Sequence, residues 1–124
     1  MSKALVVDDS KAMRLILART LGELGFRVWE AAGARQALSI LRRETTPFTL
    51  MLLDWNMPEM TGFELLKLVR GDQTLDSMVI VMVTTETELS SMSEALAAGA
   101  NEYVMKPFTQ EILKDKLRMV GVGL

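Results

Sequence analysis

Residues 50–62 read LMLLDWNMPEMTG. Four apolar residues, Leu50 to Leu53, run straight into Asp54, and Trp55, Asn56 and Pro58 follow at once. A strand with no polar residue is one covered on both faces, as in a parallel sheet with helices on each side. A carboxylate in the middle of such a strand would be very costly. Asp54 therefore marks the place where the strand leaves the core. In an open α/β sheet that place, beyond the carboxyl ends of the strands, is where ligands bind. Pro58 and Gly62 read as the turn that releases the chain into the next helix.

The same alternation extends in both directions. Ala4 to Val7 reads as a strand, followed from Ser10 by a helix with Met13, Ile16, Leu17, Leu21 and Leu24 on one face, stopped by Gly25. Arg27 to Glu30 is a weaker strand, and Ala34 to Arg43 a helix with Ala37, Leu38 and Leu41 inward. After Leu50–Leu53 comes a helix over Gly62 to Arg70, with Leu65, Leu66 and Val69 inward. Met78 to Val83 is the fourth strand, and Glu86 to Ala98 a helix with Leu89, Met92 and Leu96 on one face. Glu102 to Met105 is the fifth strand, and Thr109 caps a last helix with Leu113, Leu117 and Val120 inward. The tail GVGL is expected to fray. Strands alternating with helices imply a doubly wound parallel α/β sheet, with the apolar third and fourth strands at its centre.

This pattern gathers polar groups at one edge. The first strand ends in Asp8-Asp9, the third in Asp54, the fourth in Thr84-Thr85 and the fifth in Lys106-Pro107. If the first and third strands are neighbours, the three carboxylates crowd together, which raises their pKa values or demands a cation. Magnesium suits such a site, because it takes a few carboxylates, keeps several waters and commonly bridges to phosphate. The Asn56 backbone carbonyl is a further candidate ligand. Asp8 and Asp9 also fit a blander role before a helix start, where the dipole favours acids. Lys106 is either a surface lysine or the charge that neutralises the acids, and an X-Pro bond can be cis and hold it in place. Thr84 suits a strand as a β-branched residue, and its hydroxyl suits a phosphoryl oxygen. Trp55 either covers the loop or reports optically on Asp54.

Composition narrows the chemistry. The chain has 124 residues, no cysteine and no histidine, and a net charge of −2. That length fits one domain. The absence of cysteine excludes disulfides and thiolate metal sites, and the absence of histidine excludes Ser-His and Cys-His nucleophiles. Any metal is held by oxygen, hence a hard cation. The mild charge argues against a nucleic-acid partner. No apolar run reaches spanning length, and MSKALVVDDS is too soon acidic for a signal peptide. A cytoplasmic protein without a membrane partner is expected.

VVDDS, LLDWNMPEMTG, VTTE and KPF, in this order, resemble the receiver domain of two-component response regulators. The resemblance spans nearly the whole chain, and DWNMP with KPFT is most similar to the single-domain chemotaxis type. It implies a flavodoxin-like (βα)5 fold with strand order 2-1-3-4-5, the order already known for the chemotaxis member, in a single receiver domain over residues 1–124 with no output domain. It also implies that Asp54 accepts a phosphoryl group from a sensor histidine kinase. Asp9, Asp54 and the Asn56 carbonyl would bind Mg2+, with Asp8 supporting the metal through water. Lys106 would hold the phosphoryl oxygens, Thr84 would bond the transferred group, and Tyr103 would be the switch aromatic that turns inward when Thr84 moves. The surface of the fourth helix, fifth strand and fifth helix, including Lys116, would then change its preference for a downstream target, of which a flagellar motor switch is one candidate. A phosphatase is a further partner of such proteins. Asn56 and Glu86 would tune a short phosphoryl lifetime.

Departures from the family pattern are Thr61 in place of aspartate, Gly33-Ala34 in place of Asn-Gly or Asp-Gly, and Thr85 in place of alanine, where it is expected to narrow access to Asp54. Other readings compete with a chemotaxis-type receiver. A magnesium-dependent aspartyl phosphohydrolase would carry a second acid where Asn56 stands. A flavin binder would need a phosphate loop where Asp8-Asp9 stands. Against a degenerate receiver that docks without phosphorylation stand the intact acids and Lys106. A receiver of a phosphorelay other than chemotaxis fits the same residues.

Overall fold

A computed structural model describes residues 2–122. In chain order the elements are β1 (Lys3–Val7), α1 (Lys11–Glu23), β2 (Arg27–Ala31), α2 (Ala34–Arg43), β3 (Leu50–Leu53), α3 (Gly62–Arg70), a short 3-10 turn (Gln73–Leu75), β4 (Val79–Thr84), α4 (Leu89–Ala97), β5 (Glu102–Met105) and α5 (Gln110–Met119). The strands form one parallel sheet in the order β2-β1-β3-β4-β5. β3 lies at its centre, as its unbroken apolar run requires.

Alternate residues of the strands face opposite layers, so one sheet supports two cores. Leu5, Val7, Met51, Leu53, Ile80 and Met82 pack under α2, α3 and α4. Ala4, Val6, Leu50, Leu52, Val81, Val83 and Val104 pack under α1 and α5 through Leu17, Leu21, Leu113 and Leu117. The buried edge opposite the acidic one is closed by Lys3, whose ammonium bonds Glu44 Oε1 at 3.0 Å and both the carbonyl and hydroxyl oxygens of Thr46 at 2.9 Å. It also lies 4.4 Å from the Phe48 ring centre and 4.7 Å from that of Trp29.

Four sequence expectations need correction. In α1 the buried stripe runs through Leu17, Thr20 and Leu21, while Ile16 is 48% exposed. Counting only apolar residues hid Thr20, whose hydroxyl is satisfied by donating to the Ile16 carbonyl at 3.2 Å. In α2 it is Ile40, with Ala34 and Ala37, that is buried; Leu38 and Leu41 are half-buried at the edge. α4 begins at Leu89 rather than Glu86, because its N-cap Glu88 is extended. Its fully buried residue is Ala95, with Met92 partly buried against the same core as expected, while Leu89 and Leu96 are 79% and 46% exposed. Finally, the tail is held as far as Val122, which is buried in the second core. Gly121, at φ 82, turns the chain so that the Val122 N–H reaches Leu117 O at 3.0 Å. Residues 123–124 of the tail lie outside the described residues.

Candidate functional site

The register puts the strand ends level. Val7 pairs with Leu53 and Ala31, so Asp8 and Asp54 emerge side by side. The backbone fixes them there. Asp54 N–H donates to Val7 O at 3.0 Å, Asp8 N–H to Ala31 O at 3.1 Å, and Lys106 N–H to Thr84 O at 2.9 Å. Ladder bonding thus continues one residue past each apolar run, and the first residue outside the core is the polar one.

Asp8, Asp54 and Thr84 are buried, while Asp9 is exposed. One carboxylate oxygen from each of Asp8, Asp9 and Asp54 lies within 4.8 Å of the others. This all-oxygen cluster of three acids suits a small hard divalent cation. Lys106, whose peptide to Pro107 is cis, reaches Asp8 Oδ2 at 2.7 Å and Asp54 Oδ2 at 3.5 Å. One ammonium against buried Asp8 and Asp54 does not balance their charge. Burial, above all, holds the Asp54 carboxyl above the usual range, and Asp8 adds to this; the Thr84 hydroxyl, Lys106 and the Asn56 N–H act the other way without cancelling it. Such a group is favoured in its charged form by a nearby cation.

The loops around the acids are built for closeness. Ser10 caps α1 by accepting from Met13 N–H at 3.2 Å, and Asp8 Oδ1 accepts from Ser10 N–H at 2.9 Å. Thr61, standing for the family's aspartate, makes a full capping box with Glu64 at the start of α3. Gly33 caps α2 in extended conformation with no side-chain bond. Asn56 is exposed; its N–H lies 3.4 Å from Asp54 Oδ1 and its Nδ2 3.5 Å from Thr85 Oγ1, so Asn56 and Thr85 meet beside the loop that follows Asp54. Trp55 stacks on Phe63 with ring centres 4.9 Å apart.

A second line of groups runs from Thr84 to α5. Thr84 Oγ1 accepts from Glu86 N–H at 3.2 Å, and the Tyr103 hydroxyl donates to Glu86 O at 2.7 Å. Tyr103 is only 4% exposed, the inward position, and burial pushes its hydroxyl up to about 12. Its neighbour Glu102 holds Lys116 at 3.4 Å. Sequence reasoning missed two residues here. Arg14 donates to the Asp8 carbonyl at 2.7 Å and pairs with Glu30 at 3.3 Å, a contact created only by folding and invisible in the sequence. Phe63, one residue into α3, is the other, and its only trace in the sequence is an aromatic shortly after Trp55.

A 2-1-3-4-5 sheet with this acidic edge and a lysine opposite it defines a class of signalling switch. The response regulator receiver domain model matches residues 4–118, and the chain belongs to that family. It is 45% identical over 123 residues to a chemotaxis protein CheY homolog of Campylobacter jejuni, covering 98% of this chain and 94% of the relative. It is 42% identical over 119 residues to chemotaxis protein CheY of Pseudomonas aeruginosa, covering 95% and 94%. The structure of CheY4 from Vibrio cholerae superposes with a TM-score of 0.88 at 39% identity, covering 97% of this chain and 98% of that one. The chain is accordingly a phosphorylation-activated receiver of two-component signalling, a class that works with histidine kinases and downstream targets. Among the described residues no helix is long and apolar enough to cross a membrane.

Proposed function

We propose that Asp54 is the phosphoacceptor and that the chain serves chemotaxis or motility signalling in the cytoplasm. The observation that carries the first part is the buried Asp54 carboxylate, held beside Asp8, Asp9 and the Lys106 ammonium. The second part is supported by near full-length likeness to proteins named for chemotaxis. In the transfer, an Asp54 carboxylate oxygen attacks the phosphorus of a kinase phosphohistidine. The P–N bond breaks, the imidazole leaves with its electron pair, and an acyl phosphate remains. Little covalent help is needed, because such transfers depend on positioning and charge neutralisation.

Asp9, Asp54 and the Asn56 carbonyl would hold magnesium, with Asp8 supporting it through water; when bound, the ion neutralises charge on the phosphoryl oxygens. Lys106 moves from its carboxylate partners toward the new phosphoryl oxygens, and the Thr84 hydroxyl, 3.2 Å from Glu86 N–H, turns to donate to them. Tyr103, bonded to Glu86 O, couples this change to α4, β5 and α5. Output is protein contact, with a flagellar motor switch as the target this likeness favours and a phosphatase as the partner that ends the signal. An aspartyl phosphohydrolase is disfavoured, since the amide of Asn56 cannot serve as its acid or base.

Two results are expected. Thr85→Ala removes the side chain that meets Asn56 and should speed phosphorylation by a small donor by about twofold to tenfold. Stopped-flow Trp55 fluorescence in a Trp29→Phe background measures this, and an unchanged or slower rate contradicts it. The isolated chain should also promote its own dephosphorylation, with Asn56 and Glu86 beside the site; a phosphoryl half-life of many hours would contradict that.

A further inference from the structure

We propose that Phe63 is a positioning residue for the acceptor loop, fixing the turn that carries Asp54 and Asn56 by stacking on Trp55. The inference rests on the magnesium reading above, and adds to it a residue outside the acid and lysine set. Trp55 sits between the two residues assigned as ligands, so the direction of its backbone decides whether they address one ion. It is fixed at two points. Its carbonyl accepts from Gly62 N–H at 2.8 Å, and its indole lies flat on Phe63, 4.9 Å between centres and 6° from parallel. Phe63 is itself held from α3. Lys67, one helical turn on, places its ammonium 4.7 Å from the centre of the Phe63 ring. Both aromatic rings are half-buried against the core under α2, α3 and α4, so the stack is attached to the sheet as well as to the loop.

The consequence is a pre-set loop. The Asn56 N–H already lies 3.4 Å from Asp54 Oδ1, a turn folded back over the carboxylate. Without the stack the Gly62 bond remains, but the loop between residues 55 and 60 has more conformations to lose when an ion binds. Offset aromatic pairs of this kind stabilise by amounts that correspond to about a three- to tenfold change in an equilibrium.

The test is calorimetric titration of Phe63→Ala, Phe63→Leu and Phe63→Tyr with magnesium chloride, well below each thermal midpoint. Phe63→Ala and Phe63→Leu should bind magnesium about three- to tenfold more weakly. Phe63→Tyr should match the parent. A loss of stability alone does not move this constant, because the chain is folded under these conditions. Magnesium should also protect the amides of residues 55–60 from hydrogen exchange less in Phe63→Leu than in the parent. Should Phe63→Ala not fold, Phe63→Leu, which keeps apolar volume without a ring, decides the question. Parent-like affinity in Phe63→Leu overturns the positioning role while leaving the metal site standing. A parent chain in which magnesium produces neither heat nor protection of the residue 55–60 amides, matched by Asp54→Asn, overturns the metal reading and the positioning role together.

Discussion

Asp54→Asn is expected to abolish phosphoryl acceptance and, at the same time, to make the metal-free fold more stable. Both effects come from one cause. The carboxylate lies in a buried position beside Asp8, where its charge is poorly tolerated. Burial raises its folded pKa above the ordinary value, so the sign of the pH effect follows directly. Below the ordinary aspartate range both folded and unfolded chains carry the proton. As pH rises, the unfolded chain ionises first, and the fold loses stability until the raised folded pKa is passed. Above it the deficit stays constant. Asparagine has no such interval, so its advantage should grow across that window and then level off. Each kcal/mol relieved corresponds to about 3–5 °C in the midpoint of a chain this size. Thermal melts of both proteins in chelator across mildly acidic to neutral pH measure the effect; a lower midpoint for Asp54→Asn at neutral pH contradicts it. Sites that trade stability for activity commonly behave this way.

Gly62→Ala should cause the largest loss of stability among single-methyl additions at this edge. A Cβ there would stand 1.9 Å from the Asp54 carbonyl oxygen, 2.8 Å from its carbonyl carbon and 3.0 Å from Trp55 Cα. All three are backbone atoms, which cannot rotate aside as a side chain would. The clash can be relieved only by moving α3 off the loop that follows Asp54, which breaks the Gly62–Trp55 hydrogen bond of 2.8 Å. A cost of about 3 kcal/mol or more is expected, or about 10 °C in the midpoint. Magnesium affinity should fall with it, because the displaced segment carries Asp54 and Asn56. A midpoint within about 2 °C of the parent would show that the loop has slack the structure does not suggest.

These residues also show why some of the molecule could be read from its sequence. β3 was legible because an unbroken apolar run has one comfortable place, the middle of a covered sheet. Once the strands were placed, their polar ends fell on one edge, and Asp8, Asp9, Asp54, Thr84 and Lys106 met there in the structure. The helices were harder. A polar threonine, Thr20, took a core position in α1 because its hydroxyl is satisfied inside the helix. α4 rests on Ala95 and Met92 and leaves its leucines outward, so a pattern of large apolar residues misplaces Leu89 and Leu96 while placing Met92. Arg14 and Phe63 act through contacts that need the third dimension: one reaches a backbone carbonyl from the next helix, the other stacks across a loop. Side-chain pairs of that kind leave no periodic trace.

The most direct test of the account is site mapping of the phosphoryl group. The chain is incubated with a small phosphodonor and magnesium, digested, and examined by mass spectrometry alongside a control receiver known to label. The prediction is a single base- and hydroxylamine-labile phosphoryl group on the peptide carrying Asp54, absent in Asp54→Asn and when magnesium is chelated. An unlabelled chain beside a labelled control, or a phosphoryl group on a residue other than Asp54, would contradict it.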